Sequence, residues 1–142
     1  MPYHWLLKTE PSTYSFDDLE RDGRTVWSGV SNALALKHLR SMKRGDLAFI
    51  YHTGAERQIV GIAEIVSDPY PDPNASDVKC FVVDVKAKRR LQQPVTLAQI
   101  KSRREFADAD GGRQAFELVR IGRLSVMPVG TERWELLLAM SQ

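Results

Sequence analysis

The stretch from Gly45 to Val66, GDLAFIYHTGAERQIVGIAEIV, constrains the fold more than any other part of the chain. It reads as two adjoining buried strands joined by a short polar turn. Gly45-Asp46 is a turn signal, the apolar run Leu47 to Tyr51 is followed by a break at Gly54, and a second apolar run begins at Ile59. Alternation in the second run places Ile59, Gly61, Ala63 and Ile65 on one face and Val60, Ile62, Glu64 and Val66 on the other. Small residues on one face suit the inside of a tight barrel; Gly61 alternatively marks a bulge or a close backbone approach. The first strand ends in Tyr51-His52, an aromatic beside an imidazole, a pair that either lines a pocket or sits half-buried without a ligand.

The remaining elements follow from local signals. Tyr3 to Lys8 reads as a short strand that Thr9-Glu10-Pro11 stops. Ser15 to Asp22 reads as a short helix with Ser15 as N-cap, Asp17 and Asp18 in its first turn and Gly23 at its end. After Thr25-Val26-Trp27 comes the polar turn Ser28 to Asn32. A helix then runs to Met42, capped by Ser31 or Asn32, with Leu34, Ala35, His38, Leu39 and Met42 as its apolar stripe. The proline-rich run Asp68 to Asp77 reads as an exposed loop. Lys79 to Lys88 is a third core strand that Leu91 to Thr96 either extends or turns away from. Thr96 to Arg104 fits a short helix capped by Thr96, Asp108 to Arg113 a glycine loop, and Leu124 to Val129 a final strand with an edge at Pro128. Thr131 caps a terminal helix from Glu132 to Ala139 that buries Trp134, Leu137 and Leu138.

With 142 residues, 43% of them hydrophobic, the chain supports one sizeable core and is short for two, so residues 1–142 are expected to form a single domain. A net charge of +2 permits a nucleic-acid partner without demanding one. Its distribution says more. From Lys86 to Arg104 the basic residues Lys86, Lys88, Arg89, Arg90, Lys101, Arg103 and Arg104 stand with no acidic residue between them. This field reads either as a phosphate-contacting rim or as a solvated strand end and helix face. The lone Cys80 reads as a buried structural thiol, and His4, His38 and His52 lack companions at metal-ligand spacing, so neither a metal nor another cofactor is expected. No run approaches the ~20 apolar residues needed to span a bilayer, and a cytoplasmic, membrane-free location is expected, or a nuclear one in a eukaryote. A monomer is the expected state. Glycine-rich phosphate loops and the GxSxG, HExxH and CxxC patterns are absent. Trp27, before a Ser-Gly turn and a helix N-terminus, reads as a core side chain on composition; a ring beside Ser28, Asn32 and turn amides also suits a flat heterocycle.

Five segments carry a resemblance: WLLKTEP at Trp5 to Pro11, VWSGVSN at Val26 to Asn32, GDLAFIYH at Gly45 to His52, IVGIAEIV at Ile59 to Val66 and LSVMPV at Leu124 to Val129. Spread in order over nearly the whole chain, they resemble the EVE domain family, part of the PUA-like superfamily and similar to the YTH readers of methylated adenine. The resemblance implies an α+β fold, a PUA-like mixed β pseudo-barrel with flanking short helices. It also implies a non-enzymatic module that receives a flipped, modified cytosine or adenine of DNA or RNA in an aromatic pocket.

Carried over by motif, Trp27 is the wall that stacks on the base and Ser28 an edge contact. Lys8, Thr9 and Glu10 form the opposite rim, Asn32 lies on the helix-capping side, and Tyr51 and His52 match the strand-end pair. Lys86, Lys88, Arg89 and Arg90 are the expected phosphate contacts. Trp5 reads equally as core and Trp134 lies on the terminal helix, so a three-walled cage is not carried over; nor is a rim from the loop at Asp108 to Arg113. A reader of this kind is expected to lose binding with Trp27→Ala or Ser28→Ala while losing little thermal stability. The alternative, an enzyme acting on nucleotides or RNA, has Glu10, Lys8 and His52 as its acid-base groups.

Overall fold

The computed structural model describes residues 3–107 and 115–142, so the loop expected at Asp108 to Arg113 lies outside the described residues. In chain order the elements are β1 (His4–Thr9), α1 (Phe16–Asp22), β2 (Arg24–Trp27), α2 (Ala33–Arg40), β3 (Leu47–His52), β4 (Gln58–Ile65), β5 (Tyr70–Pro71), β6 (Phe81–Thr96), α3 (Leu97–Lys101), α4 (Glu117–Arg120), β7 (Val126–Pro128) and α5 (Thr131–Met140). The strands follow the order β2-β6-β4-β3-β1-β7, with β5 paired to the start of β6, and the sheet curls into a half-barrel flanked by short helices.

The hairpin β3–β4 lies at the centre, antiparallel from Leu47↔Glu64 to His52↔Gln58. Beside it β1 runs parallel to β3, as a crossover through α1, β2 and α2 requires. On the far side of β1 lies β7, whose Pro128 lacks a backbone N–H and sits at the sheet edge.

Both halves of the basic region join in one 16-residue strand, β6. Three consecutive charged residues, Lys88 to Arg90, interrupt its alternation, yet the ladder continues through them because β4 supplies partners at Ile62↔Arg89 and Gly61↔Arg90. Register shifts at Ile59/Gly61 and Ile62/Ala63 bend the pair, so β6 borders β2 at its start and β4 beyond. One of these bends explains Gly61. A Cβ added there would stand 2.4 Å from Cζ of Phe16, the fully buried first residue of α1. Bulge and close approach coincide.

Local capping agrees with the sequence at three helices. Ser15 and Asp18 form a reciprocal capping box on α1, Asn32 Oδ1 accepts the Ala35 amide of α2, and Thr96 pairs with Gln99 on α3. Several expectations need correction: α3 ends at Lys101 rather than Arg104, and Leu138 is only partly buried. On α2, Leu36 is buried with Ala35 and Leu39 while Leu34 is exposed, because the helix presents the 35–36–39 face inward. The terminal helix starts at Thr131 rather than being capped by it, since the extended Gly130 offers its carbonyl to the Trp134 amide. The expected loop at Asp68 to Asp77 contains β5, anchored by the Tyr70 hydroxyl donating to Asp84 at 2.6 Å. Cys80 is only half-buried, because β6 begins after it at Phe81.

Asp46 was visible in sequence as half of a turn signal, but its side chain is a buried junction, 2% exposed. Its Oδ1 accepts the Tyr3 amide at 3.0 Å, and its Oδ2 accepts both Trp5 Nε1 and the Lys43 amide at 2.9 Å. The carboxylate thereby ties the start of β1 to the turn entering β3, and settles Trp5 as a core residue. No helix among the described residues is long and apolar enough to cross a membrane.

Candidate functional site

Where β1 and β2 end, their termini flank a cleft of about 440 Å³. Lys8 and Thr9 line it from β1, Thr13 and Tyr14 from the following turn, Thr25 to Trp27 from β2, Ser28 to Val30 from the next turn, and Ser125 from the approach to β7. Backbone bonds bring these segments together: the Lys8 amide donates to the Ser125 carbonyl, and the Thr13 and Tyr14 amides donate to the Glu10 carbonyl, each at 2.9 Å.

Glu10 and Thr9 shape the turn that carries Tyr14. The Glu10 carboxylate accepts the Ser12 amide at 3.1 Å, the Ser12 hydroxyl at 2.9 Å and the Thr53 hydroxyl at 3.3 Å. The Ser12 amide bond, foremost, holds its pKa below the ordinary value. Thr9 Oγ1 donates to the Tyr14 carbonyl at 2.6 Å. Tyr14 then meets Trp27 edge to face, with ring centroids 6.5 Å apart and planes at 83°. Its hydroxyl donates to Asp22 at 2.8 Å, and burial, followed by that bond, pushes its pKa up.

Trp27 is 8% exposed, a core member that also lines the cleft. The core reading from composition is thus right about its burial, and the expectation that Trp27→Ala costs little stability is corrected: truncating a buried Trp typically costs about 3 to 5 kcal/mol. Immediately after it, Ser28 is exposed and Gly29 adopts φ +81°, a left-handed conformation that favours glycine. Lys8 separates the cleft from a smaller cavity of about 190 Å³ that Tyr51 also lines. Its Nζ donates to the Gly122 carbonyl at 2.9 Å and lies 5.7 Å from the Tyr51 ring centroid, and burial lowers its pKa.

Of the eight residues matched by motif, four share the cleft: Trp27, Ser28, Lys8 and Thr9. The others support it. Glu10 clasps the turn, Asn32 caps α2, and Tyr51 lines the neighbouring cavity. His52 is 6% exposed; its Nε2 accepts the Phe16 amide at 3.0 Å, which leaves Nδ1 protonated to donate to Glu56 at 2.9 Å. Glu10 and His52 therefore each serve a structural bond rather than facing a common substrate position. His52→Ala is expected to lose about 2 kcal/mol in urea unfolding, the cost of a buried amide left unmet. Unchanged stability in His52→Ala would show that its bond to the Phe16 amide is not what holds α1.

The cleft also contains residues that sequence reasoning missed, chiefly Tyr14, Thr25 and Ser125. Tyr14 carried a usable signal, since an apolar residue directly before an N-cap is a staple position whose ring folds back on the chain. Thr25 and Ser125 carried none beyond lying in a strand and a motif. Of the four expected phosphate contacts, Lys86 pairs with Arg24 at the end of β2 away from Trp27, and Lys88 and Arg89 are exposed farther along β6. Arg90 is committed to Asp17 and to Glu20, the latter at 2.6 Å. Among the described residues no group of three or more His, Cys, Asp or Glu side chains is placed to hold a metal ion.

Comparison with known proteins gives the same architecture. Thymocyte nuclear protein 1 of Gallus gallus is 33% identical over 98% of this chain and 69% of its own. The solved structure of Rpa0253 from Rhodopseudomonas palustris superposes with a TM-score of 0.87 at 42% identity, covering 98% of this chain and 92% of that one. Human THYN1, solved in complex with DNA containing 5-methylcytosine, superposes with a TM-score of 0.87 at 30% identity, covering 99% of this chain and 98% of that one. The EVE domain model matches residues 3–140, the same span that carries the half-barrel and its cleft, and the chain belongs to the EVE domain family.

Proposed function

We propose that the cleft receives a single modified nucleobase of DNA or RNA, and that the protein is a non-enzymatic reader of that base. The observation that carries this reading is the corner of Trp27 and Tyr14, set edge to face in a cleft of about 440 Å³ with Ser28, Thr9 and Lys8 at its rim. Apolar walls with a few polar groups suit a flat heterocycle. The complex of human THYN1 with 5-methylcytosine DNA supports it from a relative. Discrimination rests on small terms: a methyl group in an aromatic pocket contributes about 1 kcal/mol of burial, and stacking about 1 to 3 kcal/mol per base. Extruding a base from a duplex costs a few kcal/mol, so single strands and loops bind more readily. Glu10 and His52 are engaged in holding the turn and α1, which supports binding rather than turnover.

The test is titration of single-stranded oligonucleotides carrying 5-methylcytosine, N6-methyladenine or neither. Wild type is expected to favour one modified strand by about fivefold, the value of one methyl. Trp27→Leu keeps apolar volume in the core but removes the stacking face, and is expected to weaken binding roughly tenfold to hundredfold. Ser28→Ala, at an exposed position, is expected to reduce affinity with an unchanged melting temperature. Affinities indifferent to modification and to Trp27→Leu would refute the reading.

A further inference from the structure

Beyond the turn that closes the cleft lies a second, larger depression of about 600 Å³, between α2 and the segment that leads into β6. One turn links their linings: Ser28 to Val30 line the cleft and Ser31, the next residue, lines the groove. Three cationic side chains converge there, Lys37 and Arg40 from α2 and Lys79 from the approach to β6. Lys37 and Arg40 are three apart on a helix and so stand side by side. The Arg40 guanidinium lies 4.4 Å from the Phe81 ring centroid, which orients its planar fork.

Position distinguishes this groove from the basic stretch of β6: Lys86, Lys88 and Arg89, which no ion pair reaches either among the described residues, lie opposite the end of β2 away from Trp27 and farther along the strand, whereas the groove begins one residue after the cleft's turn. Arg90 is neutralised by Asp17 and Glu20, and Arg24 beside Lys86 is paired with Asp84. Among the described residues no ion pair reaches Lys37, Arg40 or Lys79. One carboxylate, Asp77, also lines the groove and accepts the Lys79 amide at 2.9 Å. From Ser31 to Arg44 the chain carries Lys37, Arg40, Lys43 and Arg44 and no acidic residue. A strand whose base entered the cleft would meet these cations on crossing Ser31.

We propose that Lys37, Arg40 and Lys79 hold the phosphates flanking the recognised base, and that this groove, rather than Lys86 to Arg90, is the backbone-binding track. The inference rests on the reading of the cleft as a base site. A nucleic-acid strand fits better than an acidic peptide because the cations adjoin the aromatic cleft through one turn, which combines a stacking platform with an electrostatic groove.

The test compares Lys37→Gln/Arg40→Gln/Lys79→Gln with the charge-matched control Lys86→Gln/Lys88→Gln/Arg89→Gln. Binding to single-stranded DNA with and without one 5-methylcytosine is measured across a salt series. The groove variant is expected to lower the slope of log K against log salt by about 2, from about 0.7 for each of three phosphate contacts, and to weaken both strands equally. The control is expected to keep the wild-type slope. Lys37→Gln/Lys79→Gln, which leaves Arg40 on Phe81, is expected to lose about 1.4 of slope with an unchanged melting temperature.

A wild-type slope in both groove variants, with modification preference intact, would overturn the groove and leave the cleft reading standing. A lowered slope without modification preference would uphold the phosphate track while refuting the base reading. Equal loss of slope in the β6 control would overturn the assignment to this groove. So would loss of polyglutamate binding in the groove variants with oligonucleotide binding untouched, which would give the surface to an acidic peptide.

Discussion

Replacing Asp46 with alanine is expected to destabilise the protein by about 4 kcal/mol, read as a drop in the urea midpoint with the slope of the transition unchanged. The carboxylate is 2% exposed and accepts three N–H groups, from the Tyr3 and Lys43 backbones and from the Trp5 indole. Removing it leaves three donors without their acceptor, each costing about 1 to 3 kcal/mol where water cannot replace it. Water reaches Tyr3, which is 65% exposed, so the larger part of the cost falls on Trp5 and Lys43. Asp46→Asn separates acceptor from charge. Its single carbonyl oxygen can serve the Trp5 and Lys43 donors at the Oδ2 position, but its amide then faces the Tyr3 N–H. The loss is expected to be about half that of alanine. A change below about 1 kcal/mol for Asp46→Ala would show that this junction does not hold β1 to the turn before β3.

Asp46 also marks how far the sequence could be read. Gly45-Asp46 announced a turn, and the turn is there, with Gly45 at φ +98°. Nothing in a linear pattern says that the aspartate turns inward to reach an indole 41 positions earlier in the chain. Elements governed by neighbours in sequence were legible: Ser15 and Thr96 as caps of α1 and α3, Asn32 as one of two candidate caps of α2, and the two apolar runs that pair as β3 and β4. Elements decided by long-range pairing were not. The path of β6 through Lys88 to Arg90 depends on β4, and β5 depends on a hydroxyl reaching Asp84.

The cleft divides in the same way. Motifs named Trp27, Ser28, Lys8 and Thr9, all in the cleft, because strand ends β1 and β2 are local features of those motifs. Glu10, Asn32 and His52 belong to the same motifs yet act one layer behind, on the turn, on α2 and on α1. A motif reports that a residue is needed and not which bond needs it. The charge run at Lys86 to Arg90 shows a different limit: the acids that meet Arg90, Asp17 and Glu20, lie 73 and 70 positions away.

Gly61→Ala is expected to cost about 3 kcal/mol, at the upper end of what overpacking costs, because the obstruction is a fully buried aromatic ring. The new Cβ would meet Phe16 Cζ, Cε1 and Cε2 at 2.4, 2.5 and 2.7 Å, closer than non-bonded carbons can stand. Phe16 is fully buried, its backbone amide is held by His52, and the Arg90 guanidinium lies 5.2 Å from its ring centroid. Shortening the obstruction should relieve it. Phe16→Leu alone is expected to cost about 2 kcal/mol as a large-to-small change, and the double variant less than the sum of the singles by about 1 to 2 kcal/mol. Additivity within 0.5 kcal/mol would mean that the strain lies in the bulge of β4 rather than in the ring contact. The same displacement has a functional reading. Phe16 opens α1 two residues after Tyr14, so pushing the ring outward shifts the edge-to-face partner of Trp27. On the proposal that the cleft reads a modified base, Gly61→Ala is expected to weaken binding of the preferred modified strand more than binding of its unmodified counterpart, and Phe16→Leu in the same chain to restore part of that preference.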